Sequence, residues 1–316
     1  MKSKNIQGKS QTTKPIIDGN FLLASKGKTF YWARFLLTKR HAQRATRLYR
    51  FCRFLDDLVD ETEDIRVSKL VINQLRDDLM NSYSKDPLVA DAIDLFNECN
   101  INSDVVMSLM NGIESDLSLV RMHNLDSLLR YCYQVAGTVG LMMCKVLDVT
   151  DAKAYPYAID LGIAMQLTNI CRDVSDDATL NRLYLPKTMV GDLDVNACIN
   201  PSAEQALKLQ EIVAELLKIA DSYYLSGNNG LAFITLRARL GILIASKLYQ
   251  EIGVKLMKQQ YRFWMKRACL TIKDKLLSTV IIMILALFSL RFWSVIKTHD
   301  KQLHHSLYLL PYADNP

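Results

Sequence analysis

The sequence predicts an all-α protein with a single domain. Half of its 316 residues are hydrophobic, which is enough to bury a large core. Only 12 glycines and 7 prolines occur, and no proline lies between Pro87 and Pro156 or between Pro201 and Pro311. Proline-free stretches rich in Leu, Ala, Lys and Met favour helices. The sequence has neither a run of short alternating strands nor an internal repeat of solenoid length.

Helix-favouring segments follow one another along the chain. Pro87 suits the first turn of one helix. A later helix opens at Asp126 and contains Gly137 and Gly140, which indicate a kink or a close approach to a ligand. We expect a loop over 178–200. The predicted helices cover 27–37, 41–61, 66–83, 87–99, 103–121, a stretch from 126 onwards, 153–177, 202–225, 229–260 and 266–296.

No linker divides the chain, so we expect one domain over residues 19–296 and a tail over 297–316. Residues 1–18 are polar and lack the apolar core of a signal peptide, and we expect them to be disordered. The net charge of +6 is spread along the chain, which argues against nucleic-acid binding. Seven cysteines without a CxxC pair are typical of reduced thiols in a cytoplasmic protein.

The C-terminal helix, 276–296, begins with fifteen residues without a charge, LLSTVIIMILALFSL. A spanning helix needs about 20 apolar residues, and this stretch reaches that length only by including Arg291. Three interpretations stay open. We favour a buried core helix; the others are a helix peripheral to the inner face of the cell membrane, anchored by Phe292 and Trp293, and a true span.

Two aspartate-rich segments are the main functional signal, DDLVD at Asp56–Asp60 and DVSDD at Asp173–Asp177. Each places carboxylates four residues apart, on one face of a helix, where like charges repel. A bound cation would remove that repulsion. Clustered carboxylates without Cys or His favour hard ions, and Mg²⁺ typically binds through carboxylates together with substrate phosphates. These segments therefore predict a helical enzyme that acts on a diphosphate.

Each aspartate pair extends into a polar stripe along its helix. The first stripe is Tyr49, Arg53, Asp56 and Asp60, and the second is Gln166, Asn169, Asp173 and Asp177. Burying such a stripe costs several kcal/mol unless each group has a partner, which a metal–diphosphate cluster would supply. A merely solvated face is the alternative for either stripe alone. Asp57 and Asp176 fall off the four-residue register and are less suited to bind a metal directly.

Other enzyme classes lack their sequence signatures. No HExxH motif is present, so a zinc hydrolase of that type has no ligand set. There is also no GxxxxGK[ST] or GxGxxG motif, and the chain therefore lacks the phosphate-binding turns of P-loop and Rossmann proteins.

Three blocks resemble the squalene/phytoene synthase family, GKTFYWARFLLTKRHAQRATRLYRFCRFLDDLVDE over 27–61, YCYQVAGTVG over 131–140 and AIDLGIAMQLTNICRDVSDDATLNRLYLP over 158–186. The third is most like the bacterial phytoene synthases of that family. The resemblance implies a single-domain isoprenoid-synthase-type helical bundle around a central cavity. It also implies head-to-head joining of two allylic diphosphates through a cyclopropyl intermediate.

The subgroup resemblance implies two geranylgeranyl diphosphates as substrates, prephytoene diphosphate as intermediate and phytoene as product, in carotenoid biosynthesis. It implies Mg²⁺ or Mn²⁺ as cofactor, no NADPH, and contact with other enzymes of the pathway. Two alternatives stay open: a squalene or dehydrosqualene synthase that uses farnesyl diphosphate, and a non-catalytic assembly member of the superfamily.

By position, the resemblance assigns four metal ligands, Asp56, Asp60, Asp173 and Asp177. It implies that the diphosphate oxygens are held by Lys26, Lys28, Thr29, Arg53, Arg172, Arg182 and Arg267. The polar lining would comprise Tyr49, Gln166, Asn169 and Tyr249, and Tyr131 would face the intermediate. Contacts to the isoprenoid chain would come from Phe30, Val135, Ala136, Gly137, Leu141 and Leu161. Gly27 and Asn181 depart from the family pattern, where serine and glycine are usual.

Overall fold

The computed structural model describes residues 34–60, 64–295 and 298–313. These residues form helices and no β-strand, so the predicted all-α fold is confirmed. The helices are α1 Lys39–Asp60, α2 Ile65–Met80, α3 Pro87–Glu98, α4 Ser103–Ser115, α5 Leu125–Cys132, α6 Thr138–Val146, α7 Tyr155–Thr179, α8 Lys187–Val190, α9 Val195–Ile199, α10 Ala203–Asn229, α11 Leu236–Lys258, α12 Ile272–Phe288 and α13 Leu290–Trp293.

Local sequence explains where several helices begin. Pro87 is the first residue of α3, and the carboxylate of Asp86 accepts hydrogen bonds from the next free amides. Helix α10 opens with a reciprocal capping box between Ser202 and Gln205. Side chains therefore satisfy the amides that each first turn leaves without a helical partner.

Helix α7 is the central element of the bundle. It packs most extensively against α10, and it also contacts α6, α9 and α11. Its apolar residues Ile159, Ile163 and Leu167 are fully buried. Helix α1 packs against α3 and buries the apolar residues Leu48, Phe51, Leu55 and Val59 in the core, so the acidic side of α1 faces away from it.

Packing between helices, and not a close approach to a ligand, explains the glycine at position 140. Residues Tyr133–Gly137 form one π-helical turn between α5 and α6. A Cβ atom at Gly140 would lie 2.2 Å from the carbonyl oxygen of Ala158, and one at Gly162 would lie 2.3 Å from that of Ala136. The close approach at Gly140 is therefore between two helix backbones, because only a residue without a side chain fits there.

Some predicted boundaries were wrong. The expected loop over 178–200 contains the short helices α8 and α9. The helix expected over 229–260 begins only at Leu236, after a 3₁₀ turn, and the helix expected over 266–296 begins at Ile272 and breaks at Ser289. The expected helix 103–121 ends at Ser115. Helix ends depend on capping and tertiary contacts, which periodicity alone does not reveal.

Helix α12 is not the buried core helix that we favoured. One narrow face packs on the bundle through Lys275, Ile282 and Ala286. Most other apolar side chains are exposed, among them Leu285 at 62 % and Phe288 at 82 %. A terminal helix with a uniformly apolar sequence looks like a core helix until its neighbours are known. Among the helices that the structure describes, none has both the length and the apolar character needed to cross a membrane.

The described C-terminal residues 298–313 pack back against the bundle. The guanidinium of Arg130 on α5 donates to the carbonyl oxygen of Ser306 at 3.0 Å. The Tyr223 hydroxyl on α10 donates to the carbonyl oxygen of Leu303 at 2.6 Å. These contacts hold the segment beside the first turns of α7.

Candidate active site

The first aspartate segment lies at the C-terminal end of α1. Arg53 forms an ion pair with Asp57, one turn further along the helix. The same guanidinium comes only to 4.0 Å from Asp56. Asp57, which falls off the predicted ligand register, is therefore the better neutralised of these two neighbours.

The second segment lies in the last turns of α7, and two arginines hold its Asp173. The Arg172 guanidinium donates to both carboxylate oxygens, with Nε at 2.8 Å from Oδ1. Arg267, from the segment after α11, donates to the same carboxylate at 2.7 and 3.0 Å. Arg267 also reaches the exposed Asp176 at 3.2 Å. Two arginines predicted to hold diphosphate thus pair with a predicted metal ligand.

A bridge between the two segments is provided by Arg182, just after α7. Its Nη1 donates to Oδ1 of Asp60, the last residue of α1, at 2.8 Å. This contact spans 122 positions of the chain and brings the ends of the two stripes together. The fold therefore places both acidic segments at one end of the bundle, as the sequence predicted for a shared site.

Asp116 is a further acidic residue between the segments, and the sequence did not indicate it. It caps the C-terminal end of α4 and accepts hydrogen bonds of 2.8 Å from the hydroxyls of Tyr131 and Tyr184. The two tyrosine rings lie 4.9 Å apart. Asp116 has no acidic partner at helical spacing within its own helix, so only the tertiary fold reveals its place in the site.

Burial and like charge leave two carboxyls of the site poorly stabilised. Burial, opposed by Arg53 and supported by neighbouring aspartates, raises the pKa of Asp56 to about 7. Burial together with Asp173 raises the pKa of Asp177 to about 7. Asp116 contributes to both shifts, and burial raises its own pKa to about 6. Charges from α1, α4 and α7 therefore act on one another.

Asp173 shows the opposite behaviour. Burial alone would raise its pKa, but hydrogen bonds from Arg172 and Arg267 outweigh burial and hold the pKa below its ordinary value. Its carboxylate is thus ionised and already has charged partners. The second segment therefore contains one well-stabilised aspartate and one that is not.

Two buried polar atoms in the stripes have no hydrogen-bond partner among the described residues. They are Nε of Arg53, a donor, and Oδ1 of Asn169, an acceptor. A buried orphan of either kind is costly, by about 1–3 kcal/mol. The side-chain oxygens of Asn169, Asp56 and Asp177 are donors of the type that hard divalent cations prefer, and Arg53 offers a proton to an anion. The residues present fit Mg²⁺ with a diphosphate.

Tyrosines on α1 and α11 join the two stripes. Burial raises the pKa of Tyr49 to about 12, and its charged or titratable neighbours include Arg53 and Tyr249. Tyr249 also has a pKa raised by burial and lies within electrostatic range of Arg172 and Asp173. Both phenols are therefore neutral at physiological pH and lie near charged residues of the two stripes.

The remaining predicted residues have various placements. Gln166 accepts a hydrogen bond of 3.4 Å from Asn169 on the next turn of α7. Val135 and Leu161, two of the predicted contacts to the isoprenoid chain, also pack between helices. A Cβ atom at Gly112 on α4 would lie 2.8 Å from Val135, and one at Gly227 on α10 would lie 2.9 Å from Leu161. Leu141 and Gly137 are buried, and Ala136 is half-buried. Lys26, Lys28, Thr29 and Phe30 lie outside the described residues.

Comparison with known proteins identifies the family. The sequence profile of the squalene/phytoene synthase family matches residues 23–274, most of the chain. The chain belongs to the squalene/phytoene synthase family. The resemblance seen in the sequence is therefore confirmed, and the chain is a prenyltransferase.

Two relatives illustrate the match. The chain is 32 % identical over 266 residues to the 15-cis-phytoene synthase of Pantoea ananas, covering 80 % of this chain and 86 % of that protein. It is 33 % identical over 262 residues to a phytoene synthase of Cereibacter sphaeroides, covering 78 % of this chain and 73 % of that protein.

Solved structures of the family superpose on the bundle. A dehydrosqualene synthase in complex with a ligand matches with a TM-score of 0.76 and 26 % identity, over 86 % of this chain and 96 % of that one. A squalene synthase from Alicyclobacillus acidocaldarius matches with a TM-score of 0.66 over 77 % of this chain and 93 % of that one. Its 16 % identity speaks for the fold alone. The predicted isoprenoid-synthase-type bundle is confirmed.

Proposed function

We propose that this chain is a phytoene synthase that joins two geranylgeranyl diphosphates head to head, through prephytoene diphosphate, and releases diphosphate. The observation that carries the proposal is the likeness to curated phytoene synthases over about four-fifths of the chain. The four motif aspartates are all present, which speaks against the non-catalytic alternative. The dehydrosqualene synthase match favours a farnesyl diphosphate enzyme as the second candidate.

The charges of the site support a role for its arginines in leaving-group stabilisation. Ionising an allylic diphosphate places negative charge on the leaving group, and preorganised cations stabilise such charge where it develops. Arg172 and Arg267 hold Asp173, and Arg182 holds Asp60. We expect these guanidiniums to turn to phosphate oxygens when the substrate binds, which releases the carboxylates.

The released carboxylates, with Asp56 and Asp177, would hold Mg²⁺ or Mn²⁺. When bound, the metal supplies positive charge that neutralises the diphosphate during ionisation. Asn169 would add its orphaned amide oxygen to the ligand set. Ligands from both α1 and α7 would then hold the same group from two helices, which would fix its orientation.

Tyr131 would act as a neutral phenol beside the carbocation. Burial and the nearby Asp116 raise its pKa well above the ordinary value, so it keeps its proton at physiological pH. Its hydroxyl already donates to Asp116, leaving the ring face and the oxygen lone pairs as its available features. Asp116 and Tyr184 would then position Tyr131.

The activity test uses purified protein with Mg²⁺ and either geranylgeranyl or farnesyl diphosphate, with and without NADPH. Lipid extracts are analysed by chromatography and mass spectrometry. A forty-carbon phytoene formed without NADPH supports the proposal. Dehydrosqualene formed without NADPH, or squalene formed only with it, assigns the chain to the second candidate. Absence of turnover with either substrate favours an assembly role.

We further propose that α12 lies on a membrane surface, where such lipid substrates and products partition. Exposed apolar residues cover the side of α12 opposite the bundle, including Leu277, Ile281, Leu285 and Phe288 at helical spacing. Basic residues flank the helix, with Lys273 before this face and Arg291 after it. An apolar face between cationic residues is typical of interfacial helices on anionic lipids.

Vesicle sedimentation tests this orientation. Leu285→Glu combined with Phe288→Glu should abolish binding to anionic phospholipid vesicles while leaving the fold intact. Leu70→Glu on α2, a residue with 69 % exposure, is the matched control and should bind like the wild type. A concentration-dependent dimer of the wild type that the double variant abolishes, without vesicle binding, would instead assign the face to a second copy of the chain.

A further inference from the structure

A second cluster of titratable side chains lies on α7, away from the aspartate segments. Asp160 has no exposed surface, and its carboxylate faces two imidazoles from the C-terminal segment. His299 Nε2 lies 2.8 Å from Oδ2, and His304 Nε2 lies 2.9 Å from Oδ1. Asp160 precedes Asp173 along α7 by a distance of about 20 Å at helical rise. The cluster is therefore separate from the candidate active site.

The partners of His304 restrict its charge state. Its Nδ1 lies 3.1 Å from the carbonyl oxygen of Ala313, and its Nε2 faces the Asp160 carboxylate. Burial would raise the pKa of Asp160, but hydrogen bonds from both histidines outweigh it, so the carboxyl is ionised and only accepts. A neutral imidazole has one N–H, so it would leave a lone pair against an acceptor. The ring is therefore either an imidazolium or the ligand of a cation.

We propose that Asp160, His299 and His304 bind one divalent transition-metal ion, with Zn²⁺ as the best match. Their ligand atoms all lie within 4.8 Å of one another. Two imidazole nitrogens and one carboxylate oxygen suit Zn²⁺, whereas Mg²⁺ prefers oxygen ligands alone. Metal-bound histidines commonly donate their other N–H to a carbonyl oxygen, which is the arrangement of His304 Nδ1 and Ala313.

The cluster needs only a small adjustment to accept the ion. Zinc bonds of about 2.1 Å in a tetrahedral centre place ligand atoms roughly 3.4 Å apart. The two contacts between imidazole nitrogen and carboxylate oxygen would therefore lengthen by about half an ångström. The side chain of His299 is 12 % exposed, so it marks the side from which the ion and a water as fourth ligand enter.

This zinc site would fasten the C-terminal segment to the central helix. Asp160 belongs to α7, while both histidines come from the segment that packs against α5 and α10. A fully buried carboxylate is costly without cationic partners, and a divalent ion meets that need without a protonated histidine. The site is structural, because Asp160 and His304 are buried from substrate and solvent.

The test measures metal binding rather than turnover. Full-length protein without a polyhistidine tag is dialysed against Zn²⁺ in excess Mg²⁺, which saturates the aspartate segments, and its zinc content is measured by mass spectrometry. Co²⁺ in place of Zn²⁺ reports the geometry through its visible absorption. We expect one zinc per chain in the wild type. His304→Gln should weaken zinc binding by more than about 100-fold, since loss of a direct ligand exceeds the effect of an outer partner.

His305→Gln is the matched control, because His305 is the adjacent histidine and is exposed. It should retain the wild-type stoichiometry. Zinc binding that is equally tight in His304→Gln, or absent from the wild type, overturns the proposal and assigns the cluster to an imidazolium–carboxylate pair. If His304→Gln fails to fold, zinc-edge X-ray absorption of the wild type decides: two imidazole ligands support the site, and none overturns it.

Discussion

The two aspartate segments have the same spacing but different charge balance. On α1, Asp57 and Asp60 each have one arginine partner, whereas Asp56 has no arginine within hydrogen-bonding distance among the described residues. On α7, Asp173 takes two arginines. The carboxylate of Asp177 has no hydrogen bond from the part of the chain that the structure describes. Spacing determines which carboxylates can share a cation, whereas the arginines determine which are already neutralised. We infer that metal binding depends on diphosphate binding more strongly at the α7 segment than at the α1 segment.

The largest expected effect is the loss of Asp56 or Asp177. Asp56→Asn and Asp177→Asn should each lower kcat about 1,000-fold, equivalent to about 4 kcal/mol of barrier, because a metal ligand is removed. The measurement is the initial rate of product formation with saturating Mg²⁺, beside thermal melting to confirm folding.

Asp57 and Asp176, which fall off the four-residue register, provide the controls for Asp56 and Asp177. Asp57→Asn and Asp176→Asn should each change kcat by less than about 10-fold, because neither carboxylate would bind the metal directly. A loss in Asp57→Asn as large as in Asp56→Asn would overturn the assignment of ligands by helical register.

The next effect separates the two segments through their arginines. Arg267→Gln should weaken binding of inorganic pyrophosphate with Mg²⁺ by about 10- to 100-fold, the value of a charged hydrogen bond. It should also strengthen binding of Mg²⁺ alone, because Asp173 then has one arginine partner instead of two. Calorimetric titration measures both affinities. Arg53→Gln removes the ion pair with Asp57 instead. An equal gain in Mg²⁺ affinity in that variant would contradict the proposed difference between the segments.

A smaller effect concerns Asp116, which influences both segments. Tyr131→Phe and Tyr184→Phe each remove one hydrogen bond to it and should lower the free energy of unfolding by about 1–3 kcal/mol. Tyr131→Phe should lower turnover more than Tyr184→Phe does, because only Tyr131 is expected beside the intermediate. Urea unfolding and kcat give the two readouts. Equal losses of turnover would make both tyrosines positioning residues.

The smallest effect is a pH dependence of stability without metal. Asp56 and Asp177 have pKa values of about 7 in the folded chain, against an ordinary value of 3.8. Between these two values the folded chain binds more protons than the unfolded chain, so stability falls as the pH rises from about 4 to about 7 and levels off above that. The effect is modest because the Asp56 side chain is 46 % exposed and solvent screens it.

Melting temperatures in the presence of a chelator measure this slope. The combined Asp56→Asn and Asp177→Asn variant should flatten it, and Mg²⁺ should flatten it in the wild type. The charged groups that act on the two carboxyls are Arg53, Asp57, Asp60, Asp116, Asp173, Asp176 and Arg182. An identical slope in the variant would assign the pH dependence to other groups.

The sequence predicted the parts of the molecule that depend on local periodicity. The apolar positions of α1 repeat at helical spacing and are buried, so the polar stripe on the other side followed directly. The same reasoning located α7 within two residues at each end. Spacing within one helix was sufficient for both aspartate segments.

The parts that depend on tertiary contact could not be predicted. Asp116 enters the site only because α4 ends beside the tyrosines of other elements. The pairing of Arg267 with Asp173 joins residues 94 positions apart. Asp160, the one acidic residue in the apolar first half of α7, was a usable signal of a buried charge, but its histidine partners are not in the same helix.

The crossing of α6 and α7 limits how this enzyme can be redesigned. Since neither Gly140 nor Gly162 leaves room for even one carbon, mutant libraries that diversify these positions will consist mostly of misfolded members.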